Sequence, residues 1–219
     1  MSDFKGYLDA SVMETAERSP SYALEDWRAS GRATKEWPNK QDYDWWLANG
    51  PQMVEAWQMW RETMGWQLWQ VAGKPAIELE CNFLLPHDIF VKAYIDRVFV
   101  LPNGDLCVVD IKTGANLPDT AAQLGVYATG VEILFGVRPT WGCFWDARKG
   151  QHTTLEPLGT WSREVLGEMF FQFLEGVKAG SFLPYPNKGC ANWCSVAHAC
   201  FVVGGQEAHR YDPLARAGR

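Results

Sequence analysis

The chain has 219 residues, 47% of them hydrophobic and 14% aromatic, with a net charge of −6. This length and composition fit one domain around one sizeable core and exclude a disordered or fibrous chain. The acidic balance counts against tight nonspecific nucleic-acid binding without excluding a locally basic groove.

No apolar run approaches the roughly 20 residues that span a bilayer, and the opening MSDFKGYLDA lacks the charged and apolar blocks of a signal peptide. A cytoplasmic protein without a membrane partner is expected. In a reducing compartment the six cysteines read as metal ligands or core thiols before they read as disulfides. Among the 12 tryptophans, Trp45, Trp46, Trp57, Trp60, Trp66 and Trp69 lie in periodic segments, where packing is a better account than base stacking.

The chain up to about residue 65 reads as helical: Ala23 to Ser30, Gln41 to Asn49, and a third helix opened by Gly50-Pro51. Proline suits a first helical position because its missing donor would be unpaired there anyway. That helix places Met53, Ala56, Trp57 and Trp60 on one face. From Ala76 the period falls to two. Ile77, Leu79, Cys81 and Phe83 alternate with Glu78, Glu80 and Asn82, which predicts a strand with one buried face. A turn at Pro86-His87-Asp88 leads to a second strand, VKAYIDRVFV, and Pro102-Asn103-Gly104 turns the chain into a third, DLCVVDIK. A helix from near Pro118 to about Phe135 follows, then a strand over Thr140 to Ala147. A hairpin across Lys149-Gly150, a helix from about Ser162 to Lys178 and a cysteine-bearing loop complete the pattern. The fold class is α/β with a mixed sheet, its core ordered helix, three strands, helix, strand.

Asp110 and Lys112 share a strand face because strand side chains alternate, and the hairpin brings Asp96 to the neighbouring strand. Carboxylates so placed suit a hard divalent cation such as Mg2+, which takes oxygen ligands and keeps several waters. The adjacent ammonium of Lys112 can orient a water or offset developing charge, so phosphodiester hydrolysis follows. Taken alone, Asp-x-Lys is a weak signal: Asp96 could pair with Arg97 or Lys92, and Asp110 could merely end a strand. Gln123 and Tyr127, four apart on the next helix, share a face that could reach a substrate backbone or Lys112.

YIDRV, VVDIKTG and QLGVYA, in this order and spacing, resemble motifs II, III and the Q-x-x-x-Y motif of the RecB-like PD-(D/E)xK nucleases, including phage and CRISPR-associated exonucleases and the AddB nuclease domain. The match covers about Ile77 to Trp145 and extends more loosely to Cys200. The resemblance implies a restriction-endonuclease-like core, Mg2+ or Mn2+ held by Asp96, Asp110 and the Ile111 carbonyl, Lys112 as the catalytic lysine, and Gln123 with Tyr127 at the DNA. A single nuclease domain over 1–204 is expected, with a helical N-terminal segment over 1–65, a core over 66–158, a helix and cysteine loop over 159–204, and a polar tail over 205–219. In many relatives an upstream helical histidine adds a ligand, whereas this chain has no histidine before His87. Glu55, Glu78 and Glu80 are the alternatives, and Glu80 is preferred.

Cys190, Cys194 and Cys200 form C-x3-C-x5-C around His198. Three soft thiolates so close suit a metal. Their spacing resembles the C-terminal three cysteines of the iron-sulfur staple in AddB. The fourth would have to be Cys81, Cys107 or Cys143, each on a predicted strand, so an iron-sulfur cluster, a zinc site using His198 and a metal-free loop all stand open. The expected function is metal-dependent DNA cleavage at single strands or duplex ends, by an exonuclease of recombination, repair or phage DNA processing, with protein partners in a recombination or replication complex. If phage-encoded, it acts in the host cytoplasm. The alternative is a nucleic-acid-binding or interaction module that keeps the fold without catalysis; an iron-sulfur redox protein lacks a clear fourth ligand.

Overall fold

A computed structural model describes residues 3–18, 27, 41–181 and 200. By internal contacts the chain divides into Met1–Gln172 and Phe173–Arg219. The first unit holds the sheet and the candidate site. The described residues of the second are the end of the last helix through Ser181, together with Cys200.

Helix α1 (Phe4–Arg18) precedes α2 (Tyr43–Met64). Asp42 caps α2 by accepting the Trp45 N–H at 2.8 Å, and Gly65, at φ 63°, ends it in the left-handed region. The sequence predicts two helices meeting at Gly50-Pro51, but the structure has one. Proline at position 51 removes a single backbone bond from the helix. The face formed by Met53, Ala56, Trp57 and Trp60 packs on the sheet, and that burial carries the helix across the proline. Leu8, Val12 and Trp27 form a small separate core with Phe4, Tyr43 and Trp46. The predicted helix at Ala23 to Ser30 lies outside the described residues apart from Trp27.

Short strands β1 (Gln67–Leu68), β2 (Gln70–Val71) and β3 (Lys74–Pro75) lead into the long ones: β4 (Ile77–Leu85), β5 (Ile89–Val100) and β6 (Leu106–Lys112). Helix α3 (Ala122–Phe135), β7 (Trp141–Asp146), β8 (Gln151–His152), β9 (Glu156–Pro157) and α4 (Arg163–Lys178) follow. β4 and β5 pair antiparallel, as do β5 and β6, whereas β6 and β7 run parallel, with α3 as the crossover. The observed core, α2, β4, β5, β6, α3, β7, is the predicted helix, three strands, helix, strand.

The sheet has two buried faces. On one, Cys81, Phe83, Leu85, Ala93, Ile95, Val98 and Val108 meet Leu124, Ala128 and Val131 of α3. On the other, Phe99, Cys107, Val109, Cys143 and Trp145 meet Trp60 and Trp57 of α2. Most of the tryptophans are therefore packing residues, with Trp57 stacked on Trp60 at 5.0 Å between ring centroids. Along β5 the inward residues change phase from Ala93 and Ile95 to Val98. In the facing strand Glu78 adopts φ 47°, and Ile77, expected on the buried face, is 40% exposed. A local break in the alternation, which strict period two does not anticipate, produces that difference. Asp96 lies at the change of phase.

Candidate active site

β5 pairs with β6 only over Arg97–Val100, Arg97 standing opposite Val109. One step further the register faces Asp96 with Asp110, and there the ladder stops. In place of the next backbone bond, Asp96 Oδ2 accepts the N–H of Ile111 at 2.7 Å. β6 continues beside β7, which pairs Lys112 with Asp146. The splayed strands thus leave the end of β6 held on one side only, with Asp110 and Lys112 facing the first turns of α3.

Asp110 is 2% exposed, and its polar neighbours form a closed set. Gln123 Nε2 donates to Asp110 Oδ1 at 3.0 Å and to Tyr127 Oη at 2.6 Å, while the Tyr127 hydroxyl donates to the same Oδ1 at 3.3 Å. Lys112 Nζ lies 2.6 Å from Asp110 Oδ2 and donates to Gln123 Oε1 at 3.1 Å. Burial pushes the Asp110 carboxyl above the ordinary carboxylate range; Lys112 opposes that shift, and the nearby Asp96 charge adds to it. Burial likewise pushes the Tyr127 hydroxyl up to about 12, so it stays a proton donor. Gly125, beside Gln123 and Tyr127 on α3, leaves room for Trp161 to pack on the helix, since a Cβ there would lie 2.3 Å from Trp161 Cβ.

Of the residues singled out in the sequence, Asp96, Asp110, Ile111, Lys112, Gln123 and Tyr127 are brought together. Glu80 is not. It stands opposite Tyr94 on the solvent side of the hairpin, accepts from Asn82 at 2.8 Å and pairs with Lys92 at 3.1 Å. Those two bonds hold its carboxyl below the usual range, the one from Asn82 foremost. Glu55 is exposed on α2, off the face that packs on the sheet, and Glu78 pairs with Arg97 at 3.4 Å. Among the described residues no group of three or more Asp, Glu, His or Cys is placed to hold a metal.

The residues present nevertheless fit a hard cation. Asp110 Oδ2 is buried without a well-aligned hydrogen bond, its close neighbour being the Lys112 ammonium. Asp96, Asp110 and the Ile111 carbonyl would hold the ion, with water and substrate oxygens completing its shell. Cys190, Cys194 and His198 lie outside the described residues; Cys200 is half-buried. Cys81, Cys107 and Cys143 are buried free thiols, and burial raises the Cys81 thiol to about 11. No described helix is long and apolar enough to cross a membrane.

Reading from sequence missed Arg148, in the turn after β7. Its Nε donates to the Thr113 carbonyl at 2.9 Å, one residue past Lys112, and Asp146, 7% exposed, holds that turn through the Arg148 and Lys149 N–H groups. The two adjacent cations in a tight Asp-Ala-Arg-Lys-Gly turn were the available signal.

A family model of the PD-(D/E)XK nuclease superfamily matches residues 10–201. The chain is similar to the Gene 69 protein of Mycobacterium phage D29, 36% identical over 193 residues, covering 78% of this chain and 70% of the phage protein. It is also similar to the Gene 69 protein of Mycobacterium phage L5, 32% identical over 212 residues, covering 78% of this chain and 71% of that protein. The family match takes in every strand of the sheet and the whole Asp96–Asp110–Lys112 group, and the chain belongs to the PD-(D/E)XK nuclease superfamily.

Proposed function

We propose that the chain is a divalent-metal-dependent deoxyribonuclease of the RecB-like type that hydrolyses phosphodiester bonds at single-stranded or duplex DNA ends. The observation that carries the reading is the shared hydrogen-bond set of Asp110, Lys112, Gln123 and Tyr127 beside Asp96. A buried carboxylate with a second, half-buried one beside it is costly in an acidic protein unless a cation uses the pair, and in this fold the cation would be Mg2+ or Mn2+. Bound there, it would polarise the scissile phosphate and lower the pKa of an attacking water.

The chain's own groups do the rest. Asp110 is fixed by two donors on Oδ1, so its Oδ2 is presented in one orientation. Gln123 anchors Lys112 Nζ, whose charge lies where negative charge builds on the phosphate as the P–O bond breaks. Hydrolysis adds water across that bond and leaves a phosphomonoester and a hydroxyl. The domain acting is residues 1–204, and the setting is recombination, repair or phage DNA processing in a cytoplasm. Its C-terminal cysteines hold an iron-sulfur cluster, hold zinc together with His198, or form a metal-free loop, and its partners belong to a recombination or replication complex.

Cleavage of end-labelled single- and double-stranded DNA with Mg2+ or Mn2+ tests this, comparing the unaltered chain with Asp110→Ala and Lys112→Ala. Metal-dependent cleavage lost in both variants is expected, with short products released from the ends rather than internal fragments. DNA binding without cleavage at any metal concentration would leave an interaction module as the better account.

A further inference from the structure

Between α2 and the turn joining β7 to β8 lies a cavity of about 370 Å3, lined chiefly by Trp45, Asn49, Gln52, Arg148 and Lys149. That volume lies within the range of small-ligand sites. In a chain of net charge −6 its described lining holds two cations and no carboxylate.

Arg148 is held in place before any ligand arrives. Its guanidinium lies 4.9 Å from the Trp45 ring centroid, and its Nε is tied to the Thr113 carbonyl. Among the described residues its two terminal nitrogens have no hydrogen-bond acceptor, leaving a fixed fork of donors of the kind that matches phosphate oxygens. Lys149 is 65% exposed along its side chain and, among the described residues, pairs only with Asp146, at 3.3 Å. The turn that carries both is closed by Gly150 in the left-handed region, φ 64°, with its N–H donated to the Asp146 carbonyl at 2.8 Å. The turn is bonded to the end of β6 that carries the site: Ala147 N–H donates to the Lys112 carbonyl at 2.9 Å.

We infer that this cavity is a phosphate subsite of the nuclease, where Arg148 and Lys149 bind a phosphate of the DNA strand next to the one being cut, and Trp45 positions Arg148. The inference rests on the proposed nuclease function and adds where the strand is gripped. A terminal monophosphate and an internal phosphodiester present the same anionic oxygens, so two substrates distinguish them.

Binding is read apart from cleavage by fluorescence anisotropy on the full-length chain carrying Asp110→Ala. Labelled single-stranded oligonucleotides with a 5′-phosphate or a 5′-hydroxyl are titrated over a range of salt. Adding Arg148→Ala is expected to weaken binding roughly ten-fold, the scale of one charge-assisted phosphate contact, and to lower the salt slope by about 0.7. Lys149→Ala, at an exposed side chain where misfolding is not at issue, is expected to lower the slope similarly. Loss confined to the 5′-phosphorylated oligonucleotide assigns the subsite to a terminal phosphate, and equal loss on both assigns it to an internal one. Unchanged affinity and slope in both variants, with binding otherwise intact, would overturn the subsite and leave the nuclease reading standing. Failure of every form to bind DNA would overturn both.

Discussion

Asp96 Oδ2 accepts the backbone N–H of Ile111 at 2.7 Å, where β5 and β6 cease to pair. One carboxylate therefore has two duties: it satisfies a donor that the broken ladder would leave bare, and it supplies negative charge beside Asp110.

Two substitutions separate these duties. Asp96→Asn keeps an oxygen acceptor and removes the charge, so urea unfolding should change by less than about 0.5 kcal/mol while metal-dependent cleavage is lost. Asp96→Ala leaves the Ile111 N–H unpaired and should cost about 1–3 kcal/mol in addition. Equal destabilisation by both would show that the hydrogen bond is not what Asp96 contributes to folding.

Gln123 and Tyr127 act on Asp110 together, and they should not be energetically independent. Tyr127→Phe removes one donor to Oδ1 and leaves Gln123 in place; a loss of about 1 kcal/mol in transition-state stabilisation, roughly five-fold in kcat, is expected. Gln123→Ala strips partners from both Lys112 and Asp110 and should cost more. In the double variant the losses should add to less than their sum, because Tyr127 and Gln123 hydrogen-bond each other at 2.6 Å. Strict additivity in single-turnover rates would contradict a shared network.

The chain order of the core and the meeting of Asp96, Asp110, Lys112, Gln123 and Tyr127 were legible because each depends on local periodicity and two short turns. A strand face fixes Asp110 with Lys112, and a helix face fixes Gln123 with Tyr127. Glu80 was less legible. Alternation correctly places it on β4, but its contacts depend on Lys92 across the hairpin and on the change of phase near Glu78, and neither follows from a single-strand pattern. The continuous α2 was hidden for a different reason: proline statistics describe an isolated helix, while here a tryptophan face packed on the sheet outweighs one missing bond. Arg148 was hidden because its meaning comes from Thr113, 35 residues away.

His152 makes stability depend on pH. Its Nδ1 accepts the Trp60 indole N–H at 3.1 Å, and its ring lies against Trp60 and Trp66. Burial holds its pKa below the ordinary histidine value. The unfolded chain then takes up a proton at a higher pH than the folded chain does, so this contribution is intact above about pH 6.5 and is lost as pH falls through the folded value. Urea unfolding at pH 7.5 and 5.5 should show the unaltered chain losing more stability on acidification than His152→Gln. An identical loss in both would assign the acid sensitivity elsewhere.

Gly130 shows how closely α3 must sit for Gln123 and Tyr127 to reach Asp110. A Cβ at position 130 would lie 2.7 Å from Phe83 Cε1 and 3.3 Å from Cys81 Cβ, against the buried face of β4. In an exposed helix Gly→Ala would stabilise by roughly 1 kcal/mol; here overpacking of about 1–3 kcal/mol opposes it. Gly130→Ala should therefore be neutral to destabilising, with a lowered Tm. Since relief comes by moving α3 off the sheet, kcat should fall alongside. Pairing it with Phe83→Leu, which opens space at the contact, should restore some of both. A rise in Tm for Gly130→Ala alone would mean that α3 stands further from β4 than this packing requires.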